Sequence, residues 1–352
     1  MPLQKAPRGT VMRDVAKLAG VSHQTVSRVL NEHPNVRPET RLRVLEAMRS
    51  LNYRRNLAAR TLVTRRSNTL GIIGFETTLF GPASMLYGIE SAAREAGYLV
   101  SIATVRNLER ADVLSAVDRL AQHAVDGIIA IAPKTAVTSA LMQAPTDLFC
   151  VAVGGAGDSE AVPTVRMDNA EGACLATQHL LDLGHATVHH AAGPGDWPEA
   201  HERTEGWRRT LYAAGAVVPP VHPQWWDAAS GYEQGRAMAA DPAVTAIFCA
   251  NDRIALGVLR ALHEAGRKVP EEVSVVGFDD MPDSGFFLPP LTTVSQNFGE
   301  LGRRSLALLL EHMNRPSDAE TVDHVIVEPT LVHRASTAPP PRRAPRGSQD
   351  AP

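Results

Sequence analysis

The chain has 352 residues, of which 44% are hydrophobic and 21% charged, and this length allows two or three domains that each bury a core. No run of about 18 uninterrupted apolar residues occurs and no apolar secretion signal precedes the first motifs, so we expect a cytoplasmic protein without a membrane partner. The three cysteines lie outside any C-x-x-C or Cys/His spacing, which predicts neither a disulfide framework nor a metal site.

Charge is divided unevenly along the chain. The net charge of −3 combines 14 Lys and Arg against 4 Asp and Glu in residues 1–68 with 21 against 34 in residues 69–352. A basic segment joined to an acidic remainder favours a module that binds a polyanion. A solubilising basic tail is the alternative, but the charges of the first segment interleave with apolar residues at helical spacing.

Two short helices are predicted near the start of the chain. The first has an apolar stripe formed by Val11, Val15, Leu18 and Ala19. Gly20 can end it without a steric penalty, and Ser22 is a suitable N-cap for a second helix over residues 23–30. This order is that of a helix-turn-helix, in which the second helix enters the major groove of DNA.

The second helix carries side chains that can read base edges. They are His23, Gln24 and Thr25 in its first turn and Arg28 one turn further on. Gln can form two hydrogen bonds with adenine and Arg two with guanine, although Arg28 could instead contact a phosphate. A third helix is predicted over residues 38–51, with an inner face formed by Leu42, Leu45, Met48 and Leu51.

Two motifs give this segment a specific resemblance. DVAKLAGVSHQTVSRVLN (residues 14–31) and VRPETRLRVLEAMRSLNYRRN (residues 36–56) resemble the DNA-binding head of the lactose-repressor (LacI/GalR) family. The resemblance implies a helix-turn-helix domain over residues 11–55, preceded by a disordered arm over residues 1–10. It also adds Asn31 to the expected DNA contacts.

Residues 56–68 resemble the hinge helix and linker of the same family. The resemblance implies DNA contacts by Asn56, Ala59 and Leu62, with Leu62 of each subunit inserted into the minor groove to bend the operator. Unstacking a base step costs a few kcal/mol, which the additional contacts to bent DNA offset. A simple basic linker is the alternative, and it fits residues 64–68 better than residues 56–62.

From residue 69 onward, short apolar runs alternate with amphipathic stretches. Strands are predicted over residues 69–76, 98–105, 126–133, 148–155, 187–193, 246–252 and 273–280, and helices over residues 82–96, 112–123, 170–183, 198–214 and 253–265. This alternation predicts an α/β fold with parallel sheets covered on both faces. Two groups of such units suggest two lobes, with a ligand at the carboxyl ends of their strands.

The motifs of this region resemble the effector-binding core of the LacI/GalR family, which has a periplasmic-binding-protein-like fold. They include LGHATVHHAAGP (residues 183–194) and VPEEVSVVGFDDMPDS (residues 269–284), and the resemblance implies an effector-binding and dimerisation domain over residues 69–334. The family's effector-binding positions carry over to Arg203, Asn251, Asp279 and Gln296. These side chains offer the donors and acceptors that sugar hydroxyls require, although Asn251 could simply cap a helix.

Aromatic and apolar candidates complete the predicted pocket. Trp226 corresponds to a sugar-stacking aromatic of the lactose-repressor type, with packing as the alternative. Phe75, Met85 and Phe298 correspond to pocket-lining positions, with core packing as the alternative. Two departures leave the sugar open: residues 151–155 lack an Asp that some relatives carry, and Glu199 replaces a smaller polar residue.

The last residues and the motifs taken together predict the oligomeric state and the function. Residues 335–352 are rich in proline and predict a disordered tail, and without a leucine heptad we expect a homodimer that lacks the tetramer-forming helix. We expect a DNA-binding transcriptional repressor of a pseudo-palindromic operator, controlled by a sugar bound between the lobes. A transport-type sugar-binding protein without DNA function is the alternative. No catalytic motif or cofactor site is found, so we expect no enzyme.

Overall fold

The computed structural model describes residues 10–31, 33–53, 66–106, 109–131, 135–143, 145, 148–155, 162–314 and 323–341. The chain divides into two compact units between Ser67 and Asn68. Three predicted hinge contacts, Asn56, Ala59 and Leu62, lie outside the described residues, as do residues 1–9 of the predicted arm. Among the helices within these ranges, none is long and apolar enough to cross a membrane.

The first unit contains three helices: α1 (Met12–Ala19), α2 (His23–Leu30) and α3 (Pro38–Ser50). Gly20 ends α1 in the left-handed conformation with φ of 63°, which glycine adopts without a Cβ penalty. Ser22 caps α2, because its Oγ accepts a hydrogen bond of 3.1 Å from the backbone N–H of Thr25. The helix-turn-helix prediction is therefore confirmed.

The inner faces of α1 and α3 differ in part from the prediction. The core of this unit consists of small and β-branched residues: Val15, Ala16, Ala19, Val26, Val29, Val44 and Ala47. Val11, Leu18, Leu42 and Leu45 were expected inside, but 38–67% of their surface is exposed. Each helix offers two overlapping apolar stripes about 100° apart, and contacts with the other helices decide which one is buried.

The second unit is an α/β structure with eleven strands in the part of the chain that the structure describes. They are β1 (Thr69–Phe75), β2 (Leu99–Val105), β3 (Gly127–Ile131), β4 (Phe149–Val153), β5 (Thr164–Met167), β6 (His189–Ala191), β7 (Ala246–Cys249), β8 (Ser274–Asp279), β9 (Thr292–Ser295), β10 (His324–Val327) and β11 (Thr330–Val332).

These strands form two sheets, each the centre of one lobe. The first lobe has the order β10-β5-β4-β3-β1-β2, with every pair parallel. The second lobe has the order β11-β9-β8-β7-β6, in which only the pairing of β11 with β9 is antiparallel. The predicted α/β fold with parallel sheets is confirmed.

Helices cover both faces of each sheet, so the central strands are buried on both sides. They are α4 (Phe80–Glu95), α5 (Arg110–Gln122), α6 (Thr135–Leu141), α7 (Asn169–Asp182), α8 (Pro198–Ala213), α9 (Ala228–Ala239), α10 (Asp252–Glu264) and α11 (Phe298–Asn314), with a short 3-10 helix at Pro282–Phe286. The sequence did not predict β5, β9, β10, β11, α6, α9 or α11. Most of these strands have only three or four residues, which is too short for a periodic signal.

Within the residues that the structure describes, the chain passes between the two lobes three times. The passages lie at residues 167–169, 295–298 and 327–330, where β5 leads to α7, β9 to α11, and β10 to β11. Because of these passages, the carboxyl ends of strands from both lobes face one cleft. The fold thus places the cleft where α/β sheets bind ligands.

Residues 335–341, which follow Arg334, pack against the second lobe. Ser336 is fully buried, and its Oγ donates to the carbonyl of Val275 at 2.6 Å and accepts from the N–H of Thr292 at 2.8 Å. The prediction of disorder from residue 335 is therefore wrong for residues 335–341. Composition misled it, because backbone hydrogen bonds to a neighbouring strand do not require hydrophobic side chains.

We expect Ser336→Ala to lower the free energy of unfolding by about 1–3 kcal/mol, since it leaves two buried backbone groups without a partner. Urea unfolding followed by circular dichroism measures this loss. Ser115→Ala, on the exposed face of α5, is the matched control and should change stability by less than about 0.5 kcal/mol. Equal stability of the two variants would contradict a structural role for the segment.

Candidate functional site

A buried guanidinium lies at the centre of the cleft. Arg203, on α8, is only 5% exposed. Its Nε donates to Oδ1 of Asn169 at 2.9 Å, and its Nη1 donates to the carbonyl of Ala250. The guanidinium also lies over the ring of Phe278, with Cζ 3.8 Å from the ring centroid. A buried charge requires such partners, because removing it from water is costly.

Asp279, the last residue of β8, supplies the opposite charge. Its Oδ1 lies 3.5 Å from Nη2 of Arg203 and accepts a hydrogen bond of 2.5 Å from Nε2 of Gln296. Burial raises the pKa of Asp279 and lowers the pKa of Arg203, while the attraction between them opposes both shifts. Asp279 has φ of 102°, a strained conformation that the neighbouring packing maintains and that is common at binding sites.

Asn251 and Trp226 both line the cavity and are connected by a hydrogen bond. Oδ1 of Asn251 accepts from the N–H of Ile254 at 2.7 Å and so caps α10, while its Nδ2 donates to the carbonyl of Trp226 at 3.2 Å. Asn251 therefore performs the capping role and lines the cavity as well. The indole of Trp226 lies against Gly193, where an added Cβ would be 2.5 Å from the ring, so glycine is required there.

The cavity has two chemically different walls. The first lobe contributes side chains that are apolar or absent: Leu79, Phe80, Gly81, Pro82, Met85, Ile131, Val153, Gly154 and Met167. The second lobe contributes polar and aromatic side chains: Asn169, Trp197, Glu199, Arg203, Trp226, Asn251, Arg253, Asp279 and Gln296. This arrangement can bind a small molecule that is rich in hydrogen-bonding groups on one face and apolar on the other.

Six of the eight predicted effector residues line this one cavity: Met85, Arg203, Trp226, Asn251, Asp279 and Gln296. Phe75 and Phe298 do not line it. Phe75 packs against Trp197 with centroids 6.1 Å apart, and Phe298 packs edge-on against Phe80 at 5.9 Å. Both side chains therefore pack against residues that line the cavity, which agrees with the alternative that they belong to the core.

Several lining residues were not among the predicted contacts. Asn169 and Arg253 lie in the first turns of α7 and α10, just after the ends of strands. Because ligands of α/β folds bind at the carboxyl ends of strands, this position could have marked both residues as candidates. Leu79 and Phe80 lie where α4 begins. Asp280, the residue after Asp279, forms an ion pair of 2.6 Å with Arg334.

The first unit presents most of its predicted base-reading side chains to solvent. His23, Gln24, Arg28 and Asn31 are exposed on or just after α2. Thr25 is half-buried, and its hydroxyl lies 2.9 Å from Oγ of Ser22. The exposed face of α2 is therefore polar and is available to a partner of the first unit.

A helix-turn-helix unit joined to a two-lobed α/β unit with a polar cavity defines an effector-responsive DNA-binding regulator. Two family models match the chain: bacterial regulatory proteins of the lacI family over residues 11–56, and a periplasmic binding protein-like domain over residues 177–337. The HTH-type transcriptional repressor PurR of Pasteurella multocida (strain Pm70) is 33% identical over 330 residues, which cover 92% of this chain and 98% of PurR.

Solved structures agree with this similarity. A lac repressor dimer bound to operator and the anti-inducer ONPF has a TM-score of 0.83 at 32% identity, covering 94% of this chain and 100% of that one. A complex of the transcriptional regulator CelR with cellobiose has a TM-score of 0.68 at 31% identity, covering 93% and 99%. The chain belongs to the lacI family of bacterial regulatory proteins, whose members are DNA-binding transcription regulators. The transport-type alternative is not supported, because these relatives are repressors.

We expect Asp279→Asn to lower the free energy of unfolding by about 3–5 kcal/mol, because it leaves the buried charge of Arg203 without its counterion. Chemical denaturation of the full chain measures this. Asp280→Asn is the adjacent control: its pair with Arg334 is partly exposed, so the loss should be no more than about 1 kcal/mol. A loss at Asp280 as large as that at Asp279 would contradict the central role of the Arg203 pair.

Proposed function

We propose that this protein is a transcriptional repressor that binds its operator through α2 and a sugar-type effector in the cavity between its lobes. The observation that carries the proposal is the cavity itself, with its side chains suited to hydroxyl groups, in a chain whose similarity to repressors covers both units. The effector changes operator affinity by binding one arrangement of the lobes more tightly than another. Such coupling is reciprocal, so operator binding also changes effector affinity.

The operator side of the proposal rests on charge and exposure. The first 68 residues carry a large excess of Lys and Arg, which gives the electrostatic part of DNA affinity. His23, Gln24, Thr25, Arg28 and Asn31 are the proposed DNA contacts on or just after α2, and Gln24 can form two hydrogen bonds with adenine. Asn56, Ala59 and Leu62 are proposed to extend these contacts into the minor groove. A role at operators places the protein in the cytoplasm.

The effector side rests on the donor set of the second lobe. Hydrogen bonds and one ion pair connect Arg203, Asp279, Asn169 and Gln296, so their positions are fixed before a ligand arrives. Fixed donors and acceptors of both kinds suit the hydroxyls of a sugar. Trp226 offers an aromatic face beside them, and the CelR structure contains cellobiose. Because Asp279 is engaged by Arg203 and Gln296, we propose binding rather than catalysis.

A homodimer is the proposed functional form. Large apolar side chains are exposed on the second lobe at Leu256 (45%), Phe286 (86%) and Leu288 (91%), and on α4 of the first lobe at Tyr87 (71%). Exposed apolar groups of this size favour association. A second copy is the proposed occupant, because the lac repressor structure that matches 94% of this chain is a dimer.

The test of the function is binding of the full chain to DNA upstream of its own and neighbouring genes, with a salt titration and then a panel of mono- and disaccharides. We expect tight binding to a pseudo-palindrome that weakens steeply with salt, by about 0.9 log units per log unit of salt for each neutralised phosphate. One sugar should change the operator affinity. Absence of sequence-specific binding would refute the operator function, and indifference to every sugar would refute the effector class.

We expect Gln24→Ala to weaken binding to the operator by about 1–3 kcal/mol, because it removes a base contact, while binding to unrelated DNA stays unchanged. Gel-shift titrations with operator and scrambled DNA measure both affinities. Gln178→Ala, on the exposed face of α7, is the matched control and should alter neither. Equal losses on both DNAs would show that Gln24 does not read sequence.

We expect Phe286→Glu to raise the dimer dissociation constant at least about tenfold, because it would bury a charge in an apolar contact. Sedimentation velocity over a concentration series measures the constant. Tyr212→Glu replaces another exposed aromatic (67%) on α8 and serves as the control. If both variants dissociate alike, or neither does, the proposed dimer surface is incorrect.

A further inference from the structure

Glu199 differs from the rest of the cavity, because it is the lining carboxylate that contacts the opposite lobe. It lies in the first turn of α8, in the second lobe. Its Oε1 accepts a hydrogen bond of 3.0 Å from the backbone N–H of Gly155, which follows β4 of the first lobe. This bond joins the two walls within the cavity.

The first lobe is shaped to receive this carboxylate. Gly154 and Gly155 both have positive φ, of 78° and 80°, which turns the backbone after β4 and directs an N–H towards Glu199. A Cβ added to Gly154 would lie 3.3 Å from Oε1 of Glu199, a tighter contact than is usual. Two glycines in this conformation therefore allow the carboxylate to approach the backbone.

Two polar atoms of the cavity have no partner within the described part of the chain. Oε2 of Glu199 and Nε1 of Trp226 are both shielded from solvent and without a hydrogen bond there. An unpaired buried acceptor or donor costs free energy, so each favours a ligand that satisfies it. Burial also raises the pKa of Glu199. Hydrogen bonds to its carboxylate from the backbone N–H groups of Gly155 and of Glu199 itself, and the charge of Arg203, oppose the shift.

We propose that Glu199 couples the ligand to lobe closure: it bridges the lobes through Gly155 and accepts a hydrogen bond at Oε2 from a hydroxyl of the ligand, which in turn accepts from Trp226. This inference rests on the proposed effector site and names its specificity-determining carboxylate. A hydroxyl both donates and accepts, whereas an ammonium group only donates and an ether or carboxylate only accepts. A hydroxyl therefore satisfies both atoms at once, and a neutral sugar supplies such hydroxyls.

The ligand test uses Glu199→Gln in the full chain, with methyl β-galactoside, methyl β-glucoside, lactose and cellobiose and their monodeoxy analogues as probes. The amide keeps an acceptor for Gly155 but presents an N–H instead of an acceptor to the ligand. We expect about 10- to 100-fold weaker binding of the sugar that wild type prefers, by calorimetry. Glu205→Gln, on the exposed face of the same helix, should stay within about twofold.

The deoxy analogues separate a direct contact from a structural effect. In wild type, removing one hydroxyl should lose at least the factor lost in Glu199→Gln. In Glu199→Gln the same deoxy position should lose clearly less than in wild type, because only the contact of that hydroxyl with Trp226 remains to be lost. Equal deoxy losses in both proteins, or wild-type affinity of Glu199→Gln, would overturn the ligand contact. If wild type binds operator but no sugar of the panel, the hydroxyl contact fails together with the proposed effector class.

The bridge between the lobes is tested without any ligand. Glu199→Ala removes the acceptor for Gly155, so we expect a larger radius of gyration by X-ray scattering and a red-shifted tryptophan emission. Trp197 reports on opening, because it packs against Phe75 of the first lobe. Glu199→Gln and Glu205→Ala should match wild type in both measurements. An unchanged Glu199→Ala would overturn the bridge, whatever the outcome with sugars.

Discussion

The burial of one guanidinium is the constraint on which the second lobe depends. Arg203 has almost no contact with solvent, and a charge removed from water costs several kcal/mol unless each of its donors finds an acceptor. The acceptors come from separate parts of the chain: Asn169 at the start of α7, the carbonyl of Ala250 after β7, and Asp279 at the end of β8. The requirement to pair one cation thus fixes the relative positions of three elements. The same arrangement forms the polar floor of the cavity.

The two walls of the cavity suggest how recognition and closure are divided. The second lobe holds fixed hydrogen-bonding groups, whereas the first lobe offers side chains such as Met85 and Phe80 that exclude water. Electrostatic interactions strengthen when water is excluded, so the apolar wall strengthens the hydrogen bonds that the polar wall forms with a ligand. Glu199 is the exception that reaches across, and its approach depends on the two glycines after β4. In our proposal, both ligand affinity and the arrangement of the lobes depend on the carboxylate of Glu199.

The first unit differs from the second, because its main features depend on residues that are close in sequence. Capping by Ser22, the turn at Gly20 and the exposed polar face of α2 each involve residues close in sequence. Such features are set by propensity and hydrogen bonding over one or two helical turns. They place the base-reading candidates on one accessible helix without any contribution from the larger unit. The excess of positive charge in the same segment adds long-range attraction to DNA.

The sequence by itself determined the helix-turn-helix, the α/β alternation and six of the cavity residues. Caps, glycine turns and apolar periods are local signals, and the family motifs pointed to Arg203, Asn251, Asp279 and Gln296, which line the cavity. Only the tertiary structure decided that Leu18 and Leu42 lie outside, that Phe75 and Phe298 support the cavity from behind, and that Ser336 is buried. Only it brought Glu199 to Gly155, which lies 44 residues away in sequence. The physical reason is that a local pattern specifies which faces of an element are apolar or polar, whereas the partner of each face depends on how distant elements pack.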